Sequence, residues 1–232
     1  VKWFLRLLSI VAVALVATFF IFRVPDTDPA EMQAKYGSAP SQMVEIGDGR
    51  LVHLRDEGPR DARHTYLCLH GEPTWCYLYR RMIPVFTAAG GRVVAPDFAG
   101  FGRSDKPEED ETYGFHFHRR MLLAFIERLD LKDITLVVQD WGGLLGLTLP
   151  MEMPERFTRL IVMNTALATG AAPSEGFVQW RAYVAANPDL AVGKLMKRSC
   201  PHLTEAETAA YDAPFPDETF KAGARQFPML VP

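Results

Sequence analysis

The chain is poor in the features that would assign it to several large classes. Cysteine occurs three times, at Cys68, Cys76 and Cys200, with no CxxC spacing, so neither a zinc site nor a disulfide framework is signalled. Cys68 lies inside an apolar run and reads as a small core residue. No long run of basic residues occurs, and 25 Lys plus Arg stand against 28 Asp plus Glu for a formal net charge of −3. Such a balance excludes a surface built to track a phosphate backbone, and nucleic acid is not an expected partner. Internal repeats and low-complexity tracts are also missing, which rules out solenoid and disordered classes.

What is abundant is apolar side chain, 48% of 232 residues, enough for one large domain with a well-buried core. One stretch is longer than a core element needs. From Leu7 to Phe22 no charge interrupts the apolar residues, near the lower limit of about 17 to 25 residues for a spanning helix. Residues 1–23 are therefore expected to form a membrane anchor. A cleaved signal segment is the alternative, although bulky Phe19, Phe20, Ile21 and Phe22 stand where a small-residue cleavage site belongs. Lys2 and Arg6 precede the segment and Asp26, Asp28 and Glu31 follow it, which orients the rest of the chain to the non-cytoplasmic, periplasmic side.

Residues 24–41 turn to Pro, Asp, Gly and Ser around a short helical stretch near Ala30 to Lys35 and read as a linker. A hairpin signal follows, Met43 to Ile46 and Leu51 to Leu54 around Gly47-Asp48-Gly49. Short apolar runs then alternate with longer helical patterns. The runs are Tyr66 to Leu69, Arg92 to Ala95, Ile134 to Val138 and Leu160 to Met163, and the helices Tyr77 to Ala89, Phe115 to Leu129 and Gly142 to Met153. This order predicts an α/β fold with a doubly wound, mostly parallel sheet over residues 42–166. The strand rhythm stops after Asn164, and 167–225, punctuated by Pro173, Pro188, Pro201, Pro214 and Pro216, predicts a helical cap. Residues 226–232 are expected to begin a further part of the core.

The strand Ile134 to Val138 runs into Gln139-Asp140-Trp141-Gly142-Gly143 and then a helix. A nucleophile elbow needs this strand, tight turn and helix, with small residues after the reactive one. Here the elbow carries Asp instead of Ser. A carboxylate is already anionic at neutral pH and attacks an sp³ carbon without a base, leaving an alkyl ester for water to hydrolyse with a His as general base. Read alone, Asp140 is also a good helix N-cap. The earlier strand leads into His70-Gly71-Glu72-Pro73-Thr74-Trp75, where Gly71 lets the backbone approach a ligand. The backbone N–H groups of Glu72 and Trp141 are the expected oxyanion-hole pair. His70 suits a turn-bracing hydrogen bond, His116 and His118 open a helix and do not propose a metal site, and Trp75 is packing or pocket wall. No cofactor is implied.

Together, His70 to Trp75, Pro96-Asp97-Phe98-Ala99-Gly100-Phe101-Gly102-Arg103-Ser104-Asp105-Lys106-Pro107 and Val138 to Gly143 resemble the haloalkane dehalogenases of the α/β-hydrolase superfamily, over about Leu51 to Pro232. The resemblance implies that Asp140 displaces halide from a small halogenated hydrocarbon and that the Trp141 indole N–H receives the leaving ion. In the branch with Glu after His-Gly the second halide donor is a cap Trp, and Gly176-Phe177-Val178-Gln179-Trp180-Arg181 matches that segment, making Trp180 the candidate. It also implies that the Glu72 side chain places the hydrolytic water. An indole N–H donates without a competing acceptor from an apolar ring, which suits a large, weakly hydrated anion.

One departure stands out. The family places a base His and its orienting acid beyond the cap, and the last histidine here, His202, falls inside the cap. The expectation is a C-terminally truncated chain that attacks once and stalls as the ester. An epoxide hydrolase shares the Asp elbow but needs two cap phenols, for which Tyr183 and Tyr211 are the candidates. A membrane-anchored binding protein or non-catalytic relic is the reading from outside the enzymes.

Overall fold

The computed structural model describes residues 27–36, 41–47, 49–167, 170 and 172–231. The expected membrane segment, residues 1–23, lies outside them, and among the described residues no helix is long and apolar enough to cross a membrane.

Six strands form one mixed sheet: β1 (Ser41–Glu45), β2 (Leu51–Glu57), β3 (Thr65–Leu69), β4 (Arg92–Pro96), β5 (Ile134–Gln139) and β6 (Phe157–Met163), in the order β1-β2-β4-β3-β5-β6. The first two make the anticipated hairpin, with Met43 opposite His53, and β2 pairs antiparallel with β4. The remaining pairs are parallel. Their apolar, β-branched composition suits strands covered on both faces, and Leu136, Val137 and Val138 are fully buried.

The chain passes from β3 to β4 on one side and returns across β3 to β5 on the other. Ligand groups in open α/β sheets collect at this reversal, beyond the carboxyl ends of the strands. Leu69 is in register with Val138, so the loop after β3 and the turn after β5 emerge side by side.

Helices α1 (Pro29–Tyr36), α2 (Ile83–Ala88), α3 (Phe115–Arg128) and α4 (Trp141–Gly146) are followed in the cap region by α5 (Glu175–Ala186), α6 (Val192–Ser199), α7 (Glu205–Asp212) and α8 (Ala222–Met229). One sequence expectation differs from this. The helix expected over 142–153 stops at Gly146 and resumes only as a 3-10 turn at Leu149–Met151, because Pro150 has no N–H to continue the ladder. The segment beyond residue 225 continues α8. Its Phe227 is buried against Phe98, Phe101, His118 and Trp141, and apolar burial of this kind holds a short helix that propensity alone would not.

The cap is latched to the core by polar contacts. Arg80 donates to Glu207 at 2.7 Å and to the Tyr211 hydroxyl at 3.2 Å. The Trp75 indole N–H donates to the Ala210 carbonyl at 3.0 Å, which settles Trp75 as a packing residue. Helix α1 joins the same face, with Met32 buried and Tyr36 edge-on to Trp75.

Candidate active site

The turn between β5 and α4 is strained. Asp140 has φ 52° and ψ −124°, a left-handed conformation that costs a non-glycine residue about 1–3 kcal/mol and persists only where the surroundings impose it. The surroundings are tight enough to do so: a Cβ on Gly142 would lie 2.1 Å from the Leu69 carbonyl oxygen, and one on Gly71 would lie 2.4 Å from the Asp140 Cβ. Both glycines allow the β3 loop and the elbow to touch.

The Asp140 carboxylate does not cap its own helix; α4 has no side-chain capping bond. Instead Oδ1 accepts the backbone N–H of Glu72 at 2.8 Å, and the Trp141 amide lies close enough to favour the ionised carboxylate. The two amides expected to form an oxyanion hole thus converge on this one carboxyl group. Burial raises its pKa above the ordinary aspartate value, against the downward pull of the Trp141 and Glu72 amides.

Glu72 follows from its place in the loop. Its Oε1 is buried and has no hydrogen-bond partner, and burial, then the neighbouring Asp140 charge, push its carboxyl well above the usual range. Two adjacent buried carboxyl groups do not both ionise readily, and the upward push is the stronger at Glu72.

His70 acts as a brace. Nδ1 pairs with the Gly71 carbonyl at 3.0 Å and Nε2 accepts from the Phe98 amide at 2.9 Å, while burial lowers its pKa and keeps the ring neutral. The Phe98 loop is fixed in turn by Asp97, whose carboxylate accepts from the amides of Cys76 at 2.7 Å and Arg103 at 2.9 Å and pairs with His53 Nδ1 at 2.7 Å. His53, Cys76 and Asp97 offer ligand atoms within 4.8 Å of one another, but the Asp97 carboxylate is already engaged by the His53 ring and by the amides of Cys76 and Arg103. His118 is a buried core residue with its pKa lowered to about 4 by burial.

Trp141 is buried with its ring 4.6 Å from that of Phe227 and lines a cavity of about 440 Å³ with Phe115, His116, Leu144, Leu230 and Val231. This wall was not legible in the sequence, since residues 115 and 231 meet only through the sheet. Trp180 stands elsewhere: it is half-buried on α5, stacked on Tyr183 at 5.8 Å, and does not line the cavity. Helix α5 packs on α8, which carries Phe227. Among the described residues neither indole N–H has a protein acceptor. Of the cap phenols, Tyr211 is buried with its hydroxyl bonded to Arg80, and Tyr183 is exposed.

Fold and elbow define an α/β-hydrolase, and the family described as alpha/beta hydrolase fold matches residues 67–226. A haloalkane dehalogenase of Psychrobacter cryohalolentis is 48% identical over 217 residues, covering 91% of this chain and 71% of that protein. Haloalkane dehalogenase 1 of Mycobacterium tuberculosis is 52% identical over 167 residues, 71% of this chain and 55% of the relative. The tetrameric haloalkane dehalogenase DpaA from Paraglaciecola agarilytica NO2 superposes with a TM-score of 0.86 at 47% identity, covering 91% of this chain and 72% of that one. The chain belongs to the haloalkane dehalogenase family. It spans between about half and three quarters of the length of these relatives.

Proposed function

We propose that this chain performs the halide-displacing step of haloalkane hydrolysis, with Asp140 as nucleophile. An Asp140 oxygen forms a bond to the halogen-bearing carbon as the carbon–halogen bond breaks, and the bonding pair leaves with the halide; the products are an alkyl ester and a halide ion. The observation that carries this reading is the Asp140 carboxylate itself, at a strained turn and bonded at Oδ1 to the Glu72 amide of the facing loop, with the Trp141 amide beside it. The same two amides would receive the oxyanion when water attacks the ester. Trp141, with an unengaged indole beside an apolar cavity, takes the departing halide. Trp180 is proposed as second donor on the family resemblance alone, since its ring stacks on Tyr183 and does not line this cavity.

Ester hydrolysis needs a general base, and among the described residues no histidine hydrogen-bonds to Asp140; His70 and His118 are committed to backbone groups. Glu72, buried and unpartnered at Oε1, is the proposed holder of the water. The epoxide reading has less support because Tyr183 is exposed and neither cap phenol lines the cavity beside Trp141. The apolar segment Leu7 to Phe22 would hold the domain on the periplasmic face of a membrane, and cell fractionation with and without it checks that.

The test of the chemistry is bromide release from 1,2-dibromoethane. The unmodified chain releases bromide and Asp140→Asn falls to background; equal release by the two would refute the assignment.

A further inference from the structure

The reaction needs the Asp140 side chain held in a conformation the backbone resists, and the two residues beyond β6 are bonded to that backbone on both sides. The Asp140 N–H donates to the Asn164 carbonyl at 3.0 Å. The Thr165 hydroxyl donates to the Asp140 carbonyl at 2.7 Å, an oxygen that also accepts the Gly143 and Leu144 amides at 2.9 and 3.2 Å. Asn164 is itself left-handed, with φ 38°, so the clamp draws on strain in both strand ends. The first turn of α4 is seated directly on the hydroxyl: a Cβ on Gly143 would lie 2.1 Å from Thr165 Oγ1.

We infer that Thr165 is a positioning residue for the nucleophile, its hydroxyl holding the elbow carbonyl so that the Asp140 carboxylate stays on the Glu72 and Trp141 amides. The inference rests on the reading of Asp140 as nucleophile. The Glu72 amide otherwise fixes the carboxylate from the loop side, at Oδ1; Thr165 is the side-chain tether on the main chain of the same residue. Without it the turn can relax toward ordinary dihedrals, and a carboxylate displaced by a fraction of an ångström loses its line of attack.

Thr165→Val keeps the branched shape and removes the donor; Thr165→Ser keeps the donor. Alkylation by 1,2-dibromoethane is followed by intact mass over a range of concentrations. The expected result for Thr165→Val is a limiting alkylation rate about tenfold lower, with the half-saturating concentration within about twofold of wild type, while Thr165→Ser stays within about twofold in both. In parallel, hydrogen exchange at the Asp140 amide speeds up in the valine variant and not in the serine variant. A valine variant that alkylates at the wild-type rate, or a serine variant as slow as the valine one, overturns the inference. If the wild-type chain forms no adduct, the reading of Asp140 fails, and the exchange comparison still decides the clamp: unchanged exchange in Thr165→Val overturns it.

Discussion

Strands β5 and β6 lie side by side, parallel, and are built from nearly the same residues, yet only one is sealed. Ile134, Leu136, Val137 and Val138 are fully buried, whereas Leu160 and Val162 are 53% and 50% exposed. The difference comes from position: β5 has β3 on one side and β6 on the other, while among the described residues β6 has only β5 beside it. Chemistry follows the same division. The proposed nucleophile rides on the sealed strand, where the closely packed β3 loop can force a strained turn. The exposed strand contributes only the clamp of Asn164 and Thr165 at its end. An apolar strand is therefore a poor guide to burial until its place in the sheet is known, but a strained turn is a good guide to which strand carries the reaction.

The contrast is broken most severely at the contact between β3 loop and elbow. Gly71→Ala places a methyl group against Asp140 and is expected to cut alkylation by more than about 100-fold, measured by intact mass against time; a loss below threefold would mean that the β3 loop does not hold the carboxylate. A paired truncation sharpens the strand comparison directly. Leu136→Ala in β5 is expected to cost about 3 kcal/mol in urea unfolding, and Leu160→Ala in β6 no more than about 0.5 kcal/mol. Equal costs would show that β6 is covered in solution.

Two pH experiments probe the sealed side with smaller effects. Only ionised Asp140 attacks, so alkylation rises with pH, and because burial raises the Asp140 pKa its midpoint is expected above the ordinary aspartate value of about 3.9. A midpoint at or below that value would contradict the burial assigned to the site. Glu72 gives a stability signature. Its folded-state pKa is raised, so its contribution is fully present below the unfolded value near about 4.3 and is lost as pH rises through the folded value. Glu72→Gln should therefore gain on the wild type as pH increases from 4 to 9 in parallel urea titrations, and a constant difference across that range would show that burial does not raise the Glu72 pKa.

Much of this was legible from residues 51 to 163, because strand runs, turn residues and the Asp elbow repeat a pattern with few physical solutions. The elbow's neighbours, Glu72 and Trp141, were legible through the loop that a tight turn requires. Phe227 on Trp141 and the cavity wall were not: they meet through α8, whose short and Pro-containing sequence carries no strong helical signal and is held by packing. Thr165 was equally hidden, since a hydroxyl two residues past a strand has no spacing that marks it. Trp180 is the opposite case, singled out by family resemblance yet stacked on Tyr183 away from the cavity wall.

The central claim is a covalent one, so its most direct test is covalent. After exposure to 1,2-dibromoethane, intact mass followed by peptide mapping should find a single bromoethyl ester on Asp140, absent from Asp140→Asn. An unmodified Asp140 peptide, or an adduct that survives the asparagine substitution, would contradict the account.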